Sequence, residues 1–162
     1  MRLQAALFTM LTCGVVVPAL AFATPGAGVI SNVIIAQGAT VGPVKERADV
    51  GDSWGVNLQD RGQSEFYIQD LVVGPGGYTG WHSHPGILMV TVKEGSLEFY
   101  DKDCTKHTYA AGQSFTEGAE PHAAMNRGTG KARLLVAYIV KKGESRRIEA
   151  AQPACGATLG IP

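Results

Sequence analysis

The chain divides into short apolar or alternating runs that are separated by turn residues at roughly ten-residue spacing. The turns draw on 21 glycines and 8 prolines, or 29 of the 162 residues, a larger share than usual. Such punctuation favours many short strands over long helices. Eight or nine strands in one small domain predict an all-β sandwich or barrel. The predicted strands cover 29–36, 54–58, 65–73, 87–92, 96–100, 107–109, 113–116, 122–125 and 134–140.

Two of these runs show how the pattern is interpreted. In 96–100, Leu97 and Phe99 alternate with polar neighbours, which is typical of a strand with one wet face. The run LLVAYIV at 134–140 is apolar on both parities, so periodicity alone would also allow a helix. Its β-branched and aromatic residues, with Gly130 and Gly143 on either side, favour a buried strand. The segment 144–152 is the one region where we predict a short helix.

The N-terminal segment is typical of a secretory signal peptide. No charged residue occurs between Arg2 and Lys45, and 3–17 is almost entirely apolar. Small-residue sites follow Pro18, which predicts a signal peptide at 1–23 that is cleaved after Ala23. An uncleaved anchor is the alternative, since 3–23 could just cross a bilayer. The proline and the weak flanking charge favour cleavage, and hence a secreted or periplasmic protein with no stable membrane insertion after cleavage.

Cleavage would leave a flexible lead-in at 24–28, a β-barrel at 29–143 and a C-terminal tail at 144–162. It would also leave two cysteines, Cys104 and Cys155. In an exported protein such a pair predicts a disulfide that ties the tail to the barrel, although two unrelated buried thiols are the alternative. The 14 basic and 14 acidic residues balance, and no basic run occurs, so nothing predicts a nucleic-acid partner.

Three of the four histidines fall into two compact clusters. The first cluster is GYTGWHSHPG at 77–86, in which His82 and His84 are two residues apart. Residues at this spacing share one face of a strand, so both imidazoles can point into a barrel. The second cluster is GQSFTEGAEPH at 112–122, which ends in His122, and Asn126 follows it. The fourth histidine, His107, lies outside both clusters and is expected at the surface or on a strand.

These clusters resemble the two motifs of the cupin superfamily. The first motif is represented by Gly76 or Gly77, His82, His84 and the closing Gly95, and the second by Gly112, His122 and Asn126. The resemblance covers roughly 71–140. It implies a single-domain cupin-type β-barrel, that is, a double-stranded β-helix or jelly roll. More closely, the run GWHSHPG with Cys104 and a late Cys155 is similar to small exported bacterial cupins with type-2-like motifs.

The chain departs from the family pattern at three positions. The glutamate of the first motif falls at Leu88, which cannot ligate a metal. Glu117 and Ala119 stand where the second motif has its proline and glycine, and we interpret both as turn residues. Glu120 is the one nearby carboxylate considered as a replacement ligand. Because Pro121 breaks the strand before His122, we expect Glu120 to be a solvated loop residue instead.

The resemblance implies that His82, His84 and His122 bind a divalent transition metal: iron, manganese, nickel, copper or zinc. The alternative is that the three histidines are hydrogen-bonded core residues without metal. With no carboxylate ligand the ion would keep a charge of about +2 and favour an anionic or chelating small molecule. We expect a metal-dependent oxidoreductase of the dioxygenase type. The resemblance to cupins also implies that the chain can form a homodimer. The alternative function is a non-catalytic module that binds a small ligand or metal.

Two further groups of residues are expected to have structural rather than functional roles. Trp81, Tyr78, Phe115 and Tyr138 could line a pocket, but aromatic residues at strand spacing are more often plain core. The pair Arg146 and Arg147 is expected to be part of a solvated tail.

Overall fold

The computed structural model describes residues 25–161, so the predicted signal peptide at 1–23 lies outside the described residues. Among those residues there are twelve β-strands and one short 3₁₀ helix, which confirms the all-β prediction. The strands are β1 (Ala27–Ala39), β2 (Lys45–Val50), β3 (Trp54–Gln59), β4 (Ser64–Tyr78), β5 (His82–Ser83), β6 (Gly86–Glu94), β7 (Ser96–Tyr100), β8 (Lys106–Ala110), β9 (Ser114–Glu117), β10 (Ala123–Met125), β11 (Ala132–Lys141) and β12 (Ile148–Glu149), followed by the 3₁₀ helix Ala154–Thr158.

The main sheet has eight strands, all paired antiparallel. Its order is β8-β7-β10-β4-β11-β6-β9, and β1 pairs with β4. The sheet curls into a nearly closed barrel of the predicted cupin type. Two small sheets accompany it: the hairpin β2–β3 and the pair β12–β5. Within residues 25–161 no helix has the length and apolar character needed to cross a bilayer.

The barrel core comes from strands that bury alternate residues. Along β11, Ala132, Leu134, Val136, Tyr138 and Val140 are all buried, while the residues between them are only partly covered. This strand lies between β4 and β6, which confirms that the apolar run at 134–140 is a buried strand rather than a helix. Burial on the barrel side explains the period of two, and the residues of the other parity are still partly covered, which is compatible with their apolar character.

Backbone conformation and close packing explain why the first motif ends in glycine. Gly95 joins β6 to β7 with a φ of 75°, a left-handed conformation that other residues adopt reluctantly. A Cβ at this position would also lie 2.5 Å from the carbonyl oxygen of Lys131. The turn that begins β7 therefore requires glycine.

The helix predicted for 144–152 is wrong. The segment carries β12, whose Ile148 and Glu149 pair with Ser83 and His82 of β5. The unpaired edge of β5 offers this backbone hydrogen bonds that a single isolated helical turn cannot match. The hairpin strand β2 was not predicted either, because KERADV is exposed throughout and has no apolar alternation.

The C-terminal tail packs onto a second, smaller core. Trp81, Tyr100, Ala123, Met125 and Ile161 are buried together. A disulfide joins Cys104 to Cys155 at the edge of this cluster, with a Cα–Cα distance of 6.1 Å. The predicted connection between tail and barrel is thus present.

The disulfide is predicted to carry a large part of the stability. It closes a loop of 51 residues, and the chain-entropy model gives a contribution of about 4 kcal/mol. We expect the double variant Cys104→Ala/Cys155→Ala to lose free energy of unfolding of this size in urea titrations. Reductant should lower the stability of the wild type to that of the variant and leave the variant unchanged. Equal stability of the two oxidised proteins would contradict the prediction.

Candidate metal centre

Backbone pairing brings the two histidine clusters together. His82 and His122 form a bridge in which the N–H of each donates to the carbonyl of the other, at 2.9 and 2.8 Å. The N–H of His84 donates to the carbonyl oxygen of Gly118 at 3.0 Å. The three imidazoles are buried, with ring centroids 4.5–5.1 Å apart. The structure therefore places all three predicted ligands side by side.

A carboxylate completes the cluster, and it is Glu117. Its Oε2 lies 3.3 Å from Nε2 of His84 and 3.6 Å from Nε2 of His122. One donor atom from each of the four residues falls within 4.8 Å of all the others. Two donors that bind one ion at 2.0–2.2 Å lie about 3–3.5 Å apart, so these spacings suit a shared ion.

The prediction that the site lacks a carboxylate is wrong, because Glu117 is a strand residue and not a turn residue. It is the last residue of β9 and pairs in register with Leu88 of β6. Directly opposed residues of antiparallel strands point to the same face. The carboxylate of Glu117 thus lies at the same level along the barrel axis as the side chain of Leu88, where the motif has its glutamate, but on the neighbouring strand. Glu120 is exposed as expected, and its carboxylate lies 3.9 Å from Nζ of Lys102.

The alternation of buried and exposed residues along β9 indicates that Glu117 faces the barrel interior. Phe115 is buried and Thr116 is exposed, so the period of two places Glu117 on the inward side with Phe115. The strand predicted over 113–116 stops one residue short of Glu117, whereas β9 includes it.

Each imidazole is oriented by a backbone carbonyl. Nδ1 of His82 lies 3.0 Å from the oxygen of Gly80, and Nδ1 of His122 lies 2.8 Å from the oxygen of Glu120. Nδ1 of His84 lies 2.6 Å from the oxygen of Arg146. A carbonyl can only accept, so each Nδ1 carries the proton and each Nε2 presents a lone pair. This is the arrangement that histidine ligands of metals adopt.

Two of the three Nε2 atoms have no competing hydrogen bond. Those of His84 and His122 are buried and make no hydrogen bond within the described residues. Leaving a buried polar atom unsatisfied costs stability, and a bound cation would remove that cost. The donor chemistry and the unsatisfied atoms both fit a divalent transition metal.

The electrostatics of the site favour the ligand forms of these groups. Burial, helped by the charge of His122, lowers the pKa of His82 to about 3, so this ring is neutral at physiological pH. Burial by itself would raise the pKa of Glu117, but the imidazoles of His122 and His84 lower it well below its usual range. His82 is thus neutral and Glu117 ionised, the forms in which these two groups bind metals, and an ion would replace any proton that the other two imidazoles share with the carboxylate.

Three members of the cluster, His82, His84 and Glu117, line a cavity of about 580 Å³. Other parts of the wall are apolar, with Val90, Leu134 and Val136, while Tyr67 and Tyr138 contribute rings. Tyr138 lines the cavity and also belongs to the main core, whereas Trp81 and Phe115 are core residues only and Tyr78 packs against the smaller core. Arg146 and Arg147 belong to the wall as well, so the expectation of a solvated tail is wrong.

Asn126 and His107 lie outside this set. Asn126 is buried and its side chain donates to the carbonyls of Val73 and Gly130, which fixes the loop before β11. His107 lies on β8 with a half-exposed side chain, as expected.

Comparison with known proteins identifies the domain. The family model described as "Cupin domain" matches residues 70–138. None of the curated proteins matches the chain significantly in sequence.

Several solved structures are similar in fold. The polyketide cyclase RemF from Streptomyces resistomycificus is 22% identical, with 58% of this chain and 68% of that chain covered and a TM-score of 0.46. A cupin-like protein from Thermotoga maritima is 16% identical, with 53% and 65% covered and a TM-score of 0.46. An oxalate oxidase in complex with the substrate analogue glycolate is 21% identical, with 44% and 40% covered and a TM-score of 0.40.

The register of Leu88 and Glu117 predicts the outcome of an exchange. Glu117→Leu should weaken binding of Zn²⁺ or Mn²⁺ at least about 10-fold, because a charged ligand is lost. The exchange variant Leu88→Glu/Glu117→Leu should recover most of this affinity, since both positions point into the barrel at one height. Metal titration followed by calorimetry measures both effects.

His84→Ala should abolish metal binding, and His107→Ala should leave it unchanged. Metal binding that survives His84→Ala would refute the site.

The lowered pKa of His82 predicts how stability depends on pH. The unfolded chain takes up a proton at this residue near pH 6.5, while the folded chain takes it up only near pH 3. The unfolded state thus binds more protons between these values, and the free energy of unfolding falls as pH falls.

In metal-free protein this slope should approach about 1.4 kcal/mol per pH unit between pH 6 and 5. Urea titrations of the wild type and of His82→Gln measure it. The variant should lose the contribution, and His107→Gln, which removes a half-exposed imidazole, should keep it. An identical slope in wild type and His82→Gln would show that His82 is not held neutral.

Proposed function

Because this chain is a member of the cupin superfamily, with a cupin domain at 70–138, we propose that it is an exported, metal-dependent oxidoreductase of the dioxygenase type that acts on a small molecule. The observation that carries the proposal is the donor set. Three imidazole nitrogens and one carboxylate oxygen converge within 4.8 Å, and His82, His84 and Glu117 of this set line a cavity that is large enough for a small organic ligand.

The donor set selects the class of metal. Imidazole nitrogen with one carboxylate suits iron, manganese, nickel, copper or zinc rather than calcium. Three neutral imidazoles and the ionised Glu117 would leave a divalent ion with a net charge of about +1, not the +2 expected without a carboxylate. When bound, such an ion supplies Lewis-acid chemistry, and iron, manganese or copper also supplies redox chemistry. A residual positive charge favours an anionic or chelating ligand.

The other residues of the cavity would position the ligand and exclude water. Val90, Leu134 and Val136 give it apolar walls. Burial raises the pKa of Tyr138 to about 12, so its hydroxyl stays protonated and donates to Oε1 of Gln69. Tyr138 therefore acts as a fixed donor near neutral pH and not as a base.

Export is part of the proposal. It is supported by the signal-peptide pattern at 1–23 and by the disulfide between Cys104 and Cys155, since disulfides persist mainly in oxidising compartments.

A non-catalytic binding module is the second candidate, and one observation favours it. Among the described cavity residues, the only carboxylate apart from Glu117 belongs to Glu144, which is ion-paired to Lys141. No imidazole outside the donor set lines this cavity. A general acid or base independent of the metal is thus missing from the described wall.

Nitric oxide binding separates the two candidates. Protein loaded anaerobically with Fe²⁺ should give the electron paramagnetic resonance signal of a ferrous nitric oxide adduct, because an oxygenase must leave the ion accessible to a diatomic ligand. His84→Ala should lose the signal, and His107→Ala should keep it. Iron that binds tightly but does not respond to nitric oxide, or metal-free protein that retains a small molecule, would favour the binding module.

A further inference from the structure

Arg146 presents an unpaired cation to the cavity. Its guanidinium lies over the rings of Tyr67 and Tyr138, with Cζ 5.0 and 5.4 Å from the ring centroids. Among the described residues, no aspartate or glutamate lies within ion-pair distance of it. The neighbouring Arg147 differs, because both its Nε and its Nη2 donate to the carboxylate of Glu149.

The position of Arg146 is fixed from both sides. Its backbone carbonyl accepts from Nδ1 of His84, and its side chain stacks on the two tyrosines. Tyr138 connects the two regions, because its ring centroid is 5.8 Å from that of His84. The guanidinium and the metal centre are therefore both within reach of one small ligand.

The charges of the cavity are not balanced. Glu117 contributes one negative charge, Arg146 one positive charge and a divalent ion two, while Arg147 is neutralised by Glu149 and Glu144 by Lys141. The metal-loaded cavity would thus hold about two uncompensated positive charges behind partly apolar walls. Isolated charges in such surroundings are costly unless a counter-charge arrives with the ligand.

We propose that Arg146 recognises a carboxylate group of the ligand, and that the ligand class is a small mono- or dicarboxylate. The guanidinium fork is suited to bidentate binding of a carboxylate, and stacking on aromatic rings leaves its edge exposed to a ligand, with one N–H contact to the hydroxyl of Tyr138. The ligand would extend from the edge of Arg146 towards His84 and Glu117. This inference rests on the proposed function, since it names the ligand of the same cavity.

The test uses succinate and its neutral analogue succinamide, with calorimetry on the full chain in the Zn²⁺-loaded and metal-free forms. Zinc avoids oxidation during the titration. Wild-type protein should bind succinate more tightly than succinamide. Arg146→Gln should weaken succinate binding about 10- to 100-fold, the size expected for a lost charge-assisted contact, and should change succinamide binding little. Arg146→Lys should lie between the two, because it keeps the charge but loses the fork.

The control variant is Arg47→Gln, which removes an equal charge from the exposed hairpin, where Arg47 pairs with Asp49. It should bind succinate like the wild type. A purely structural role for Arg146 would weaken succinate and succinamide equally, and that result would overturn the proposal. Equal succinate affinity of wild type and Arg146→Gln, or no succinate binding by wild type in either form, would overturn it as well.

Zinc affinity distinguishes failure of the metal hypothesis from failure of the Arg146 proposal. The Arg146→Gln variant keeps the backbone carbonyl at position 146, so its Zn²⁺ affinity should stay within about twofold of wild type. If neither protein binds zinc, the proposed function fails. The metal-free titrations would still show whether Arg146 selects carboxylates.

Discussion

The hydrogen bonds from three imidazole Nδ1 atoms to backbone carbonyls are the interactions on which the site depends. The accepting carbonyls belong to Gly80, Glu120 and Arg146, which lie in three separate parts of the chain. Backbone carbonyls cannot change their role with pH, so the tautomer of each ring is set by the fold. Without these bonds the rings could turn, and the lone pairs of Nε2 would no longer converge beside Glu117.

The barrel explains how a carboxylate can move between strands without loss of the site. Opposed pairs form one inward-facing row across four strands: Tyr67, Tyr138, Leu88 and Glu117. Every position in this row lies at nearly the same height, so a ligand at either end of the pair Leu88–Glu117 can approach the histidines. The buried Leu88 then fills volume where the cupin motif has its glutamate.

The sequence was sufficient for the barrel and for three of the four donors, for reasons visible in particular residues. The alternation in β7 and the spacing of His82 and His84 are local properties, and local geometry settles them. The neighbours of Glu117 depend on the pairing of β9 with β6, which no spacing along the chain reveals. The same holds for 144–152, where pairing with β5 overrides the local preference, and for Arg146, whose partners are distant in sequence.

The bond between His84 and Arg146 also makes the site depend on a segment that is distant in sequence. The two residues are 62 positions apart, so His84 has no partner for its Nδ1 until the segment with β12 has been made and has folded back. All four donors lie upstream of that point and can collapse together earlier, but with one ring free to rotate. The donor set is consequently oriented in full only when the segment that carries β12 is docked on β5, so metal binding and the packing of this C-terminal segment are coupled.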